Sequence, residues 1–200
     1  LPSNTALTVG KKIDYVLVKS FNQYTFEPIN VILAKNLVTK QFTKKFFAVE
    51  NEAQLLEYKA NDKKIPYIIV NECKGADLLE LKYEQLMPYA LPYQNPENAF
   101  RVIAGDFVTT EDGTGIVHTA PTFGADDALV AKQATPEVPP MLVLDDNGNP
   151  VPLVDLQGRF TKHMGEFAGK YVKNEYYNEG EAPERSLDVE LAIKLKEENK

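Results

Sequence analysis

The sequence predicts an α+β fold that is mainly β, arranged as a β-barrel or strongly curved sheet with peripheral helices. Short runs with strand character outnumber helical segments, and the helical segments stand between strands. Two further apolar runs flank an Asn-Gly step, which supplies the positive φ that a tight hairpin turn needs. Short strands linked by such turns are typical of barrels and curved sheets.

Three strands are predicted in the first half of the chain. Residues Ile13 to Lys19 alternate between apolar and polar side chains. Residues Asn30 to Lys35 and Ile65 to Val70 are runs of β-branched and aliphatic side chains, a composition that favours strands.

Two helices are predicted between these strands. After Asn36, a candidate N-cap, apolar side chains recur at helical spacing at Leu37, Val38, Phe42 and Phe46. Residues Asn51 to Ala60 form a second short helical segment. Residues 84 to 97 then contain three prolines among tyrosines, which predicts an ordered aromatic loop rather than a helix or a central strand.

The second half is predicted to begin with a pair of strands, Phe100 to Thr109 and Thr114 to His118, joined by a turn at Glu111 to Gly113. A helix follows over Gly124 to Ala134, with Asp126 as its cap and Asp127 in its first turn. The hairpin then pairs Met141 to Leu144 with Val151 to Val154, and a charged, helix-like run spans Leu187 to Lys200.

Composition narrows the class of protein. Two hundred residues with 44% apolar side chains predict a single domain over residues 1–200. A net charge of -7 argues against tight non-specific binding of nucleic acid, so any RNA partner is expected to be held mostly by other parts of a larger enzyme. The lone Cys73 and the lack of a long apolar run predict a cytoplasmic protein outside the membrane. As an excised domain it is expected to be a monomer. Without an initiator Met, the chain is expected to be an excised piece.

The most unusual segment runs from Gly113 to Asp127. It contains flexible glycines, a short strand that ends in an imidazole, a proline that ends the strand, an aromatic side chain and two carboxylates at a helix start. The glycines are expected to let the backbone approach a ligand closely, and the helix start is expected to bring a carboxylate back towards His118. Such a crevice suits a small cationic group.

This segment resembles the G-T-G-x-V-H-x-A-P-x-x-G-x-D-D signature in the editing domain of isoleucyl-tRNA synthetases. Three further stretches resemble the same family: Leu1 to Asn4, Lys74 to Leu78 together with Tyr83 to Tyr89, and Val151 to Gly169. The resemblance therefore covers essentially the whole chain, and it implies a β-barrel editing domain.

The resemblance implies a hydrolase that removes valine wrongly attached to the tRNA for isoleucine, and valyl-adenylate as well. Isoleucyl-tRNA synthetases are themselves the known example of this double-sieve logic, in which a second pocket admits only the smaller product. No cofactor or metal is expected for editing, whereas the full-length synthetase would use ATP. The adenylate-forming signatures of the family, His-Ile-Gly-His and Lys-Met-Ser-Lys-Ser, are not in this sequence, so no ligase activity is expected from it.

The resemblance also assigns roles to single residues. Asp127 would bind the α-ammonium of the misattached amino acid, because a carboxylate pairs with that cation and orients the ester. His118 would exclude the larger isoleucine side chain, with a role as general base as the weaker alternative. The substrate-binding residues implied are Asn4, Val117, Thr119 and Phe123.

Without the family, each of these residues has an ordinary structural interpretation. A strand-end histidine usually has satisfied hydrogen bonds, and carboxylates in a first helical turn usually cap the helix. Phe123 would be a core aromatic and Asn4 a turn residue. Two alternatives to the hydrolase also stay open: a non-catalytic module that binds the aminoacylated tRNA end, and a structural insert with a decayed pocket. The family places a Thr-rich segment before the position of Leu1, so the isolated chain is expected to fold but to be weak or inactive.

Overall fold

A computed structural model describes residues 3–198 of the chain. By its internal contacts the chain divides into two compact units. Unit 1 comprises Leu1–Ala6, Lys82–Arg101 and His118–Lys200, and unit 2 comprises Leu7–Leu81 and Val102–Val117. The single domain predicted over residues 1–200 stays a prediction. Leu1, Pro2 and the last two residues of the predicted helix at the C-terminus lie outside the described residues.

Unit 2 is built on a four-stranded sheet. Strands β2 (Asp14–Phe21) and β3 (Pro28–Ala34) form an antiparallel pair, and β2 also pairs antiparallel with β5 (Ile65–Lys74). Strand β4 (Phe46–Ala48) joins β5 in parallel, which gives the order β3-β2-β5-β4. All three strands predicted in the first half are confirmed.

The core of unit 2 packs against this sheet. Every second side chain of β2 from Val16 to Ser20 is buried, because successive side chains of a strand point to opposite faces, and Tyr15 is buried as well. They pack against the end of β3 and against the segments that follow it. The buried members of this cluster are Val9, Tyr15, Val16, Val18, Leu33, Ala34, Leu37, Val38 and Leu78.

The first predicted helix is much shorter than its apolar spacing indicates. A 3-10 turn over Lys35–Leu37 contains Asn36, so Asn36 is not the N-cap; its amide instead donates to the Thr110 hydroxyl at 2.8 Å. Helix α1 (Val38–Gln41) then ends, and Phe46 begins β4. Aromatic packing replaces the last helical turn, because the Phe42 ring packs edge-on against Phe46 and at a tilt against Tyr67.

The second predicted helix exists as a 3-10 helix over Glu52–Glu57. Asn51 is its N-cap: the Asn51 side chain accepts from the Gln54 amide, and the Gln54 side chain accepts from the Asn51 amide. This reciprocal pair satisfies two backbone donors that a helix start leaves open.

A separate three-stranded sheet contains β1 (Ala6–Val9), β6 (Arg101–Ala104) and β7 (Ile116–Thr119). Both predicted strands of the second half are present in shortened form. Their direct pairing is wrong, however, since the order is β6-β1-β7. A long-range partner, β1, occupies the position that a local hairpin would have filled.

In unit 1, helix α2 (Ala125–Gln133) follows β7 as predicted. The predicted hairpin is also confirmed, with β8 (Leu142–Leu144) antiparallel to β9 (Pro150–Pro152), and helix α3 (Leu187–Glu197) matches the charged run. These elements bury the second core of the chain, whose members are Met87, Met141, Val143, Leu153, Phe160, Met164, Phe167, Leu187 and Leu191.

The predicted class, α+β and mainly β, is confirmed. The described strands form open sheets of four, three and two members in which the first and last strands do not pair, so the predicted β-barrel is unconfirmed. Among residues 3–198, no helix has the length and apolar character needed to cross a membrane.

Gly115 provides a test of the packing in unit 2. Its φ is +73°, and a Cβ at this position would lie 2.6 Å from the Ala34 Cβ. Gly115→Ala therefore combines backbone strain of about 1 to 2 kcal/mol with an overpacking cost of about 1 to 3 kcal/mol. We expect urea denaturation to show a loss of roughly 2 kcal/mol or more in the free energy of unfolding.

Gly113→Ala is the matched control, because Gly113 has a similar φ of +68° with open space around it. It should show the backbone cost alone, about 1 to 2 kcal/mol. Equal losses for the two variants would contradict the close contact between Gly115 and Ala34.

Candidate functional site

The C-terminal end of β7 is fixed by its backbone. The Thr119 carbonyl accepts a hydrogen bond from the Thr5 amide at 3.1 Å and from the Asn4 side-chain amide at 3.3 Å. Thr119 itself is fully buried, so its part in the predicted site is to hold the strand end rather than to present an exposed side chain. The strand therefore delivers its neighbour His118 at a defined position.

A tight turn connects β7 to α2. The amides of Phe123 and Gly124 both donate to the Ala120 carbonyl, at 3.0 and 3.2 Å. The turn places Gly124, in an extended conformation, as the N-cap of α2. Asp126 is an exposed residue of the first turn, so its predicted role as the cap is wrong; Gly124 takes that position because the turn ends there.

The Asp127 carboxylate reaches back across this turn. Its Oδ2 atom accepts a hydrogen bond from the Ala120 amide at 2.8 Å, and Asp127 is half-buried. Among the described residues, Oδ1 has no hydrogen-bond partner. Asp127 also lies in the first turn of α2, where a negative charge complements the positive end of the helix dipole. One oxygen is thus anchored while the other can accept from a ligand.

Gly124 leaves room for this carboxylate. A Cβ at position 124 would lie 2.9 Å from both Cγ and Oδ2 of Asp127, closer than real side chains approach. The glycine is therefore needed for the close approach of a side chain, not for an unusual φ, which is -97°. This requirement explains one of the three glycines in the segment from Gly113 to Asp127.

Gly115 has a different role from the one that the sequence predicts. Its backbone approaches Ala34 of β3, and its carbonyl accepts from the Tyr15 hydroxyl at 2.6 Å. The expected close approach to a ligand is wrong for Gly115, because the chain itself occupies that space.

His118 is exposed on β7 and lies within the electrostatic influence of Asp127. Although more than a third of its surface is accessible, protein atoms on the remaining sides desolvate the ring and lower the pKa of His118 below its ordinary value of 6.5. The negative charge of Asp127 acts in the opposite direction. Because desolvation outweighs this charge, the imidazole is neutral near pH 7.

The Asn4 side chain forms hydrogen bonds within the protein through both its nitrogen and its oxygen. Its amide nitrogen donates to the carbonyls of Ala6 and Thr119, and its oxygen accepts from the Tyr83 hydroxyl. Burial raises the pKa of the Tyr83 hydroxyl, so this group stays a neutral donor. The predicted contact of Asn4 with substrate stays a prediction, and the structure adds a positioning role at the end of β7.

Two other predicted residues lie next to these groups in the chain. Phe123, in the turn before α2, has 60% of its surface exposed, so it is not the core aromatic of the ordinary interpretation. Val117 is half-buried in β7, immediately before His118. The sequence did not indicate Tyr83 as part of this site. The Tyr83 amide donates to the Phe100 carbonyl, and its hydroxyl donates to Asn4.

Comparison with known proteins identifies relatives over the entire chain. The isoleucine–tRNA ligase of Cytophaga hutchinsonii is 54% identical over 210 residues, which cover 100% of this chain and 18% of the ligase. The enzymes of Bacteroides fragilis and Porphyromonas gingivalis, also isoleucine–tRNA ligases, are 47% and 46% identical, again over 100% of this chain and 18% of theirs. No protein-family model matches the chain.

A solved structure described as "The crystal structure of GlLeuRS-CP1" is similar over 98% of this chain and 63% of its own length. The sequence identity is 14% and the TM-score 0.40.

The curated relatives that match the chain are thus aminoacyl-tRNA ligases, and this chain spans about 18% of their length. At 46 to 54% identity over its full length, the chain is homologous to a segment of these isoleucine–tRNA ligases.

The lowered pKa of His118 has a measurable effect on stability. The unfolded chain protonates this imidazole near pH 6.5, whereas the folded chain protonates it only at lower pH. The unfolded state binds more protons in that range, so the free energy of unfolding should fall as pH decreases through 6.5. Denaturation at pH 7.5 and pH 5 should show a smaller fall for His118→Gln than for the original chain. Equal falls in the two proteins would contradict the desolvation of His118.

Proposed function

We propose that this chain is the editing domain of an isoleucyl-tRNA synthetase and hydrolyses the ester between misattached valine and the tRNA for isoleucine. The observation that carries the proposal is the Asp127 carboxylate, anchored by the Ala120 amide beside the strand end that bears His118. Homology to isoleucine–tRNA ligases and the signature from Gly113 to Asp127 support the same assignment.

Asp127 suits recognition of an α-ammonium group. Its Oδ2 is held by a backbone donor, so the carboxylate has a fixed orientation, and its Oδ1 can accept from the cation. A charge-assisted hydrogen bond of this type is stronger than a neutral one and orients the ester with it. A substrate whose amino group is blocked would lose this contact.

A neutral His118 suits the neighbouring position. An imidazolium would repel the ammonium of the substrate, whereas the lowered pKa of His118 keeps the ring uncharged at neutral pH. The ring can then limit the size of the side chain that enters without opposing the charge that Asp127 binds. The same neutral ring could accept a proton from water, which is the weaker alternative role.

The proposed reaction is hydrolysis of an activated ester. Water attacks the ester carbonyl carbon, the bond to the ribose oxygen breaks, and that oxygen receives the proton that the water gives up. Positioning of the ester and water contributes most of the rate here, because an aminoacyl ester needs no protein nucleophile. The proposal assigns Phe123, with its exposed ring, the apolar wall of the substrate site, and it requires no cofactor.

Replacement of Asp127 tests the proposal directly. Asp127→Asn keeps an oxygen that can accept from the Ala120 amide but removes the negative charge, so the fold should persist while ammonium binding is lost. We expect release of valine from valylated tRNA to fall by about 100-fold or more. Asp127→Ala should lose the same activity and also about 1 kcal/mol of stability.

The assay should use two proteins, because this chain spans about 18% of the ligases that it matches. One is the chain alone, and the other is the Cytophaga hutchinsonii ligase with its matching segment replaced by this chain. If Asp127→Asn in the ligase that carries this chain releases valine at the original rate, the proposed role of Asp127 is refuted. Binding of valylated tRNA without release of valine would instead support the non-catalytic module.

Selection by size is tested at His118. His118→Ala enlarges the site by several carbon-sized groups, so release of isoleucine relative to valine should rise at least about fivefold. His118→Gln is the control, since it keeps the bulk and removes the imidazole. If His118→Ala leaves the ratio unchanged, His118 does not select by size, and loss of valine release in His118→Gln would favour the general-base role.

A further inference from the structure

Two Lys-Lys steps meet at one edge of the sheet in unit 2. Lys44 and Lys45 directly precede β4, and Lys63 and Lys64 directly precede β5. These strands are parallel and pair in register from their first residues, with Phe46 opposite Ile65. Both Lys-Lys steps therefore lie at the same end of the paired strands. Lys44, Lys45, Lys63 and Lys64 are called the four-lysine surface.

A backbone hydrogen bond fixes this edge. The Ile65 amide donates to the Lys45 carbonyl at 2.7 Å, so the two segments are hydrogen-bonded to each other at Lys45. Neighbouring strands lie about 4.8 Å apart, which brings four ammonium groups within the reach of one extended ligand. All four residues are exposed.

The four-lysine surface has no neutralising carboxylate. Within residues 3–198, no acidic group lies within ion-pair distance of these four ammonium groups. The nearby Asp62 accepts a hydrogen bond from the Lys59 amide at 3.0 Å, and Glu52 is paired with Lys19. Other lysines of the same sheet are paired, as Lys19 shows, so this edge differs from the rest of the sheet.

This arrangement is unfavourable for stability. Like charges on neighbouring strands repel each other. Lys44 also has a φ of +50°, in the left-handed region that a side chain other than glycine or asparagine rarely adopts. Neither cost is offset by a partner within the described chain, so a ligand outside the chain is the natural source of compensation.

We propose that the four-lysine surface binds the sugar-phosphate backbone of the tRNA. This inference rests on the proposed function, which requires a tRNA to reach this chain. A net charge of -7 repels RNA at long range, and a local cluster of uncompensated lysines provides the attraction that positions the RNA on the protein. Lysine contacts of this kind neutralise phosphates without reading bases, so binding is independent of sequence.

Neutralisation of the surface tests the inference. The 200-residue chain and its K44Q/K45Q/K63Q/K64Q variant are titrated with fluorescently labelled tRNA that carries no amino acid, at several salt concentrations between 50 and 200 mM. Each phosphate contact contributes about 0.7 to 0.9 to the slope of log affinity against log salt, so loss of four contacts should reduce that slope by about 3. At the lowest salt, the affinity should fall by about tenfold or more.

A charge-matched control distinguishes the effect of the four-lysine surface from the effect of the net charge of the protein. The K11Q/K12Q/K173Q/K196Q variant removes four other exposed lysines and should keep a slope close to that of the original chain. Equal losses in the two variants would overturn the inference, as would an original chain that does not bind tRNA at 50 mM salt. Loss of affinity for vesicles containing phosphatidylserine, with tRNA affinity unchanged, would also overturn it in favour of a membrane surface.

Hydrolysis of a small substrate distinguishes this inference from the proposed function. A valyl ester of adenosine has no phosphate backbone, so K44Q/K45Q/K63Q/K64Q should hydrolyse it like the original chain while it loses kcat/KM on valylated tRNA. If the ester is hydrolysed and both proteins act equally on valylated tRNA, the four-lysine surface is refuted and the editing function stands. If the Cytophaga hutchinsonii ligase that carries this chain hydrolyses neither substrate while the tRNA slopes of the chain differ as expected, the surface stands and the editing function fails.

Discussion

The hydrogen bond from the Ala120 amide to the Asp127 carboxylate is the constraint on which the candidate site depends. It joins the last residues of β7 to the first turn of α2 across a turn of only a few residues. An aspartate in a first helical turn would otherwise rotate freely in solvent, and its charge would have no defined direction. Because a backbone donor holds Oδ2, the carboxylate has a fixed orientation and Oδ1 has a defined direction. The absence of a side chain at Gly124 makes this geometry possible.

The other side of the strand end is fixed by a chain of polar groups. Tyr83 donates to Asn4, and Asn4 donates to the Thr119 carbonyl, so a residue from each of three distant segments holds the position of β7. The Tyr83 hydroxyl is buried, where an unmade hydrogen bond is costly, and this favours a single arrangement of the three groups. His118 is thus exposed on β7, next to Thr119, whose carbonyl is held by hydrogen bonds.

Local signals in the sequence predicted the local features. The Asn-Gly turn predicted the β8-β9 hairpin, and the β-branched runs predicted β3 and β5, because each of these is decided by a few adjacent residues. The helical spacing through Phe46 failed, since packing of Phe42 on Tyr67 of another strand outweighs the spacing. For the site, the signature predicted roles for Asp127 and His118 that stay predictions, whereas the position of Tyr83 depends on a pairing with Phe100 that no local pattern indicates.

The hydrogen bond between Asn4 and Thr119 joins residues 115 positions apart, and this separation bears on the order of folding. Strands β2 and β3 are neighbours in the chain and can pair early, because the loop that they close is short. Contacts between distant residues must wait for a much larger loop to close, and they slow folding accordingly. The anchor of the candidate site is therefore among the late contacts to form. A partly folded chain would lack it, so the ability to position His118 belongs to the fully folded molecule alone.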